Sequence, residues 1–138
     1  MTLLQRATAE IIDFHRFFVA WYEAGTAGSV DFGRCEQVFG EGFQMIPPTG
    51  RVFGRAETIA LIAANRATFH GDFAIDIDEI RPAWEAEGAI LVTYVERQQR
   101  AGINTARRAT ALFSERSSAP HGVEWRHLHE TWMQTAEN

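Results

Sequence analysis

The chain has no lysine: all 13 of its basic residues are arginine. That absence excludes Schiff-base chemistry, a phosphate-binding loop ending in lysine and a Ser–Lys dyad. Since lysine is missing from the surface as well, a bias in codon usage explains the substitution better than a separate role for every arginine. Cysteine is nearly absent too. The single Cys35 cannot form an internal disulfide, so folding needs no oxidation and a cytoplasmic setting is expected. No long apolar run is present. Near the start, residues 17–22 form the longest such stretch, far short of a membrane span. The first residues also run straight into an amphipathic segment rather than a basic-then-apolar leader, so no membrane association is expected. Positive charge is in deficit, with 18 acidic residues and a net charge of −5, which argues against nucleic acid as a partner.

What is present fits one globular domain over residues 1–138. Apolar residues make up 46% of the chain and charged residues 22%, within the ordinary globular range. Thr2 is placed to cap a first helix running to about Ala24. Along it Leu4, Ala7, Ile11, Phe14, Phe18 and Trp21 recur at steps of three and four, the stripe of a helix buried on one side. Asp31 can cap a short second helix, residues 32–38, before Phe39-Gly40-Glu41-Gly42 reads as a break. Residues 43–46 form a short strand candidate closed by Pro47-Pro48, with residues 51–53 as its hairpin partner. A third helix is expected from about Arg55 to Thr68.

From Asp72 onward the period changes to two. Strands are expected from there through a bend at Pro82, then over residues 89–99, 105–115 and 123–134. Helices followed by strands is the order of an α+β fold. A turn at Ala101-Gly102 sets the register of the long hairpin. One face then pairs Ile90 with Phe113, Val92 with Ala111, Tyr94 with Ala109 and Glu96 with Arg107. The other pairs Leu91 with Leu112, Thr93 with Thr110 and Val95 with Arg108. Both faces carry apolar residues, and three helices can cover only one of them. A homodimer through the sheet is therefore expected.

The order of elements, together with Pro47-Pro48-Thr49-Gly50, Gly54-Arg55-Ala56-Glu57-Thr58-Ile59 and the last-strand segment from Trp125 to Trp132, resembles the nuclear transport factor 2-like superfamily, in particular its SnoaL-like branch. The resemblance covers nearly the whole chain. It implies a cone, a curved antiparallel sheet wrapped around the long N-terminal helix with two further helices, and a pocket between sheet and helices. Members of the group include isomerases, dehydratases, polyketide cyclases and non-catalytic binding or assembly modules. Against the ketosteroid isomerase pattern, Tyr22 falls near the position of the expected tyrosine. Asp31, however, reads as a helix cap, and no aspartate stands where a protonated acid is required. The paired histidines of scytalone dehydratase come from separate strands, unlike His127 and His129 here.

Those two histidines are expected on one strand face with Trp125, Thr131 and Met133, without the further ligands that a metal site needs, so no metal is assigned. No nucleophile motif, dinucleotide fingerprint or cofactor signature is present. The polar constellation that remains is Tyr94, Glu96 and Arg107, joined by Glu130, Trp132 or Arg126 from the last strand. Its plain reading is a cross-strand ion pair, Arg107 to Glu96, at a solvated strand end. Its functional reading is an arginine fork clamping a carboxylate-bearing ligand. The candidate ligand-binding residues are Tyr94, Glu96, Arg107, Trp132, Phe18 and Tyr22, in a homodimeric small-molecule-binding domain needing no cofactor. Cofactor-free cyclase, isomerase or dehydratase chemistry in the same pocket is the alternative, and an assembly module is a second one.

Overall fold

The computed structural model describes residues 1–134. Helix α1 spans Leu3–Tyr22 and starts where the sequence places its cap. The Thr2 hydroxyl accepts the backbone N–H of Gln5 at 3.1 Å, and the Gln5 side chain accepts that of Thr2 at 2.8 Å. This reciprocal box satisfies two donors that the first turn would otherwise leave unpaired. Helices α2 (Arg34–Val38) and α3 (Arg55–Ala64) follow. Strands β1 (Phe39–Ile46), β2 (Phe53–Gly54), β3 (Phe73–Ala86), β4 (Ala89–Arg100), β5 (Ile103–Glu115) and β6 (Val123–Trp132) form one sheet in the order β2-β1-β6-β5-β4-β3. Every neighbouring pair is antiparallel except β1 and β6. The architecture is α+β, a curved and unclosed sheet wrapped over α1, as the sequence predicts.

The β4–β5 hairpin has the register read from its turn. Ala101 and Gly102 both take positive φ, +49° and +81°, the backbone that two-residue hairpin turns require. Ile90 lies opposite Phe113, Val92 opposite Ala111, Tyr94 opposite Ala109 and Glu96 opposite Arg107. Curvature comes from irregularities in the ladder. β3 shifts register between Asp78 and Arg81, where Glu79 sits at φ +55°, and again between Pro82 and Trp84. A third shift falls between Leu112 and Phe113, where β5 meets β6. Each such bulge bends its strand and increases the local twist.

Several expectations are corrected. The glycine-rich stretch at residues 39–42 is the start of β1, not a break. A Cβ at Gly40 would meet the Glu124 carboxylate and force it to shift, and Gly42 takes φ +78° at an irregularity in the β1–β6 pairing. The second helix starts at Arg34, and Asp31 accepts the Gly33 N–H at 2.9 Å in the turn before it. The third helix ends at Ala64 instead of Thr68. Ala67 sits at φ +57° and its N–H goes to the Trp21 carbonyl at 3.0 Å, so a tertiary bond replaces the next helical one.

The core lies between α1 and the concave face. Ile11 of α1 and Ile90, Val92, Phe113, Val123 and Trp125 of the sheet are all at most 1% exposed. On the convex face Trp84, Leu91, Leu112 and His127 are register partners in one row. Leu91, Leu112 and His127 are half-buried, and Trp84 is 55% exposed. Among the described residues, no helix is long and apolar enough to cross a membrane.

Candidate functional site

Strand alternation aims Ile90, Val92, Tyr94, Glu96 and Gln98 of β4 at the concave side. The same rule brings Arg107, Ala109, Ala111 and Phe113 of β5 inward, and on β6 it brings Leu128, Glu130 and Trp132. Tyr94, Ala109 and Glu130 form one row across three strands, and Glu96, Arg107 and Trp132 form the next. Alanine at the middle of the first row leaves Tyr94 and Glu130 free to lean toward each other. Facing them from α1 is His15, one turn beyond Ile11.

These side chains form a buried polar cluster. His15 Nδ1 donates to the Ile11 carbonyl at 2.7 Å, which leaves Nε2 for Glu96 Oε1 at 3.0 Å. Gln98 Nε2 donates to the other Glu96 oxygen, and Arg100 Nε donates to Gln98 Oε1 at 2.9 Å. Arg107 donates through Nη1 to Glu130 Oε1 at 3.2 Å, and its guanidinium lies 4.7 Å from the centre of the Trp132 ring. Two atoms stand out. The Tyr94 hydroxyl and Arg107 Nε are both buried and have no hydrogen-bond partner among the described residues. Nearly all buried polar groups in proteins are satisfied, so a neighbouring pair of exceptions needs an explanation.

Burial and charge push the two carboxyls of the cluster apart. Glu96 loses solvation, but His15, Arg107 and the Gln98 amide outweigh that loss and hold its pKa well below the usual range. Burial and the Glu96 charge together raise Glu130 to about 7, against the opposing pull of Arg107. Burial disfavours a charged His15, yet Glu96 and the Ile11 carbonyl raise its pKa on balance. Burial first, then Glu96 and Glu130, keep the Tyr94 phenol well above its ordinary value, so it remains an O–H donor.

A second buried acid, Glu10, differs in being complete. Arg34 meets its two oxygens at 2.8 Å each, and Trp125 Nε1 donates at 2.9 Å. This is a structural tie between α1, α2 and β6. Cys35 is fully buried, and desolvation above all raises its thiol to about 12, which removes thiolate chemistry at neutral pH.

Tyr94, Glu96, Arg107 and Trp132 do come together. Phe18 and Tyr22 lie about one and two turns along α1 from His15 with ring centres 4.2 Å apart, and their rings meet Phe73 at 6.3 and 5.6 Å. Arg100 bridges the two groups, with its guanidinium 5.0 Å from the Phe73 ring while it bonds Gln98. The expected Arg107–Glu96 ion pair at a solvated end is not formed. Arg107 pairs with Glu130 and Glu96 with His15, and both carboxylates are at least nine-tenths buried. The expected grouping of Trp125 with His127 and His129 is also corrected. The irregularity opposite Leu112 and Phe113 reverses the facing of β6, so Trp125 points into the core while the two histidines face outward, 6.4 Å apart. Arg126 lies apart from the cluster, bonded to Glu124 at 2.9 Å. His15 was not among the candidates, although a polar side chain bordering the apolar stripe of the first helix was a readable signal.

Two surface cavities flank the fold. One of about 570 Å³ lies among Phe39, Arg55, Arg116, Glu124 and Arg126. The other, about 550 Å³, lies mainly against convex-face residues, among them Ala74, Asp76, Arg97, Asn104 and Ala106.

A structure of a protein of unknown function from Pseudomonas aeruginosa, described as NTF-2 like, superposes over 94% of this chain and 99% of its own with a TM-score of 0.80 at 23% identity. The fold is nuclear transport factor 2-like. On the same nuclear transport factor 2-like frame, an uncharacterised protein from Caulobacter vibrioides described as cystatin-like matches over 94% of this chain and 89% of its own (TM-score 0.68, 19% identity). A superfamily protein from Salmonella enterica matches over 96% and 92% (TM-score 0.68, 12% identity). No protein-family model and no curated protein matches the sequence. One fold can carry many chemistries, so any function resides in the cluster and not in the fold.

Proposed function

We propose that the protein is a small-molecule-binding domain of the SnoaL-like kind, a single domain over residues 1–138 that works as a cytoplasmic homodimer. The ligand enters the polar part of the cone at Tyr94, Glu96, Arg107 and Trp132, and its apolar part lies toward Phe18 and Tyr22. The observation that carries this reading is the pair of buried, unpartnered donors, the Tyr94 hydroxyl and Arg107 Nε. A ligand oxygen would supply the acceptor that both lack. The half-exposed row Trp84, Leu91, Leu112 and His127 supports a partner on the convex face. Native mass spectrometry of the purified protein tests both parts. The expected result is a dimer mass carrying a small adduct that Tyr94→Phe removes. A bare monomer at micromolar concentration would overturn the dimer, and an adduct indifferent to Tyr94 would overturn the site.

A second reading, cofactor-free proton transfer of the isomerase, cyclase or dehydratase kind, is favoured by one feature. Glu130, raised to about 7, is poised to give or take a proton near neutral pH beside a hydroxyl donor. In that case turnover would follow an apparent pKa near 7 that Glu130→Gln abolishes.

A further inference from the structure

The charges around Arg107 do not balance. His15 and Glu96 share a proton along the Nε2–Oε1 bond, so the pair contributes no net charge whichever atom holds it. Arg107 and Arg100 then stand against a single carboxyl, Glu130. With Glu130 ionised the excess is the charge of Arg100, which lies at the exposed edge and is screened by solvent; with Glu130 protonated, Arg107 is the buried cation left without a counter-charge.

The geometry of the imbalance is specific. Arg107 spends Nη1 on Glu130 and keeps its Nε edge unused, with Nε buried. That edge of a guanidinium is one of those that a carboxylate meets with two parallel hydrogen bonds. The unpartnered Tyr94 hydroxyl adds a further donor. Trp132 covers the face of the guanidinium at 4.7 Å and is itself 51% exposed, so it is the cover that must move. Next to Arg100, the Phe69 and Phe73 rings stack at 4.7 Å and form an apolar shelf.

We propose that this cluster is a carboxylate site, in which a small monocarboxylate with an aromatic or alkyl body sets its oxygens on the Arg107 Nε edge and the Tyr94 hydroxyl. The inference rests on the ligand-binding reading above and narrows it to one chemical class. A neutral ligand would satisfy the donors but leave the cationic excess. A dianion would bring its second charge against Glu130 and Glu96.

Glu130 regulates the site. The groups facing it are Glu96 and Tyr94 on β4, Arg107 on β5 and His15 on α1. Ionised Glu130 competes with the ligand for Arg107, whereas the protonated acid does not. Affinity for a carboxylate therefore holds below neutral pH and weakens above it.

The test is an NMR titration of the full chain with acetate, phenylacetate and octanoate, each beside its neutral amide, at pH 6 and pH 8. It follows the Arg107 Nε–H signal, assigned with Arg107→Lys. The expected result is a saturable shift with carboxylates, at least tenfold weaker binding of the amides, and weaker binding at pH 8. Tyr94→Phe should weaken the carboxylates several-fold, and Glu130→Gln should remove the pH dependence. Amides binding as tightly as carboxylates would overturn the carboxylate assignment and leave the ligand-binding reading standing. If no carboxylate moves the Arg107 signal, the assignment also falls. If the amides too give no saturable shift at any cone residue, the broader reading falls with it.

Discussion

Replacing Tyr94 by phenylalanine deletes one oxygen from the interior and should make the ligand-free protein more stable. The hydroxyl is fully buried and bonds to nothing, so folding strips its water without replacement, at a cost of about 1–3 kcal/mol. The ring itself stays in the core, in edge contact with His15 at 5.9 Å, and phenylalanine preserves that packing. A small void where the oxygen stood offsets part of the gain, leaving a net stabilisation of about 1 kcal/mol. For a chain of this length that corresponds to a rise of roughly 3–5 °C in Tm. Urea unfolding followed by tryptophan fluorescence at fixed pH measures it, with an unchanged m value as the check that only stability moved. Added phenylacetate should then narrow or reverse the gap, because the wild type gains more from ligand than the variant does. If ligand-free Tyr94→Phe is instead destabilised by 1 kcal/mol or more, taking about 1 kcal/mol as a typical net hydrogen bond, the hydroxyl is satisfied in the free protein. No acceptor is then missing at Tyr94.

Other outcomes follow from the same geometry. Because Glu130 titrates near 7 when folded and near 4.5 otherwise, the native state holds the extra proton between those values. Stability should therefore fall as pH rises through that window, by at most about 3.5 kcal/mol at roughly 1.4 kcal/mol per unit. Glu130→Gln should flatten that fall in unfolding measured from pH 4.5 to 8, and an unchanged slope would contradict the assignment. Arg34→Met strands the buried Glu10 carboxylate and should cost about 3–5 kcal/mol in urea unfolding, with Glu10→Gln recovering part of it. Leu112→Glu puts a charge in the middle of the convex row and should convert a dimer to a monomer in sedimentation, with Tm little changed at matched monomer concentration.

The long hairpin was readable because one turn fixed it. Once Ala101-Gly102 is placed, side-chain alternation determines every pair from Ala89 to Arg100, and Tyr94, Glu96 and Arg107 fall on one face without further information. The β6 strand was harder. A ladder irregularity changes which face each residue occupies, and nothing in the residue types near Trp125 announces it. Register alone also misassigned the ion pairs. Cα partners across a hairpin are close, but the bond goes to whichever acceptor the side chain reaches once α1 is docked. Arg107 reached across Ala109 to Glu130, and His15 arrived from the helix to take Glu96.

The sequence by itself therefore determined what depends on local periodicity and turn chemistry: the capped first helix, the strands, the hairpin register and the α+β order. It also determined what composition excludes, namely every lysine-dependent chemistry. Only the tertiary structure decided which charges share a proton, which donors are left without an acceptor and which carboxyl titrates near neutrality. Those properties depend on distance and burial between α1, β4, β5 and β6, whose contacting residues are up to 115 positions apart in the chain. No local pattern records separations of that kind, because electrostatic and desolvation energies are set by neighbours in space.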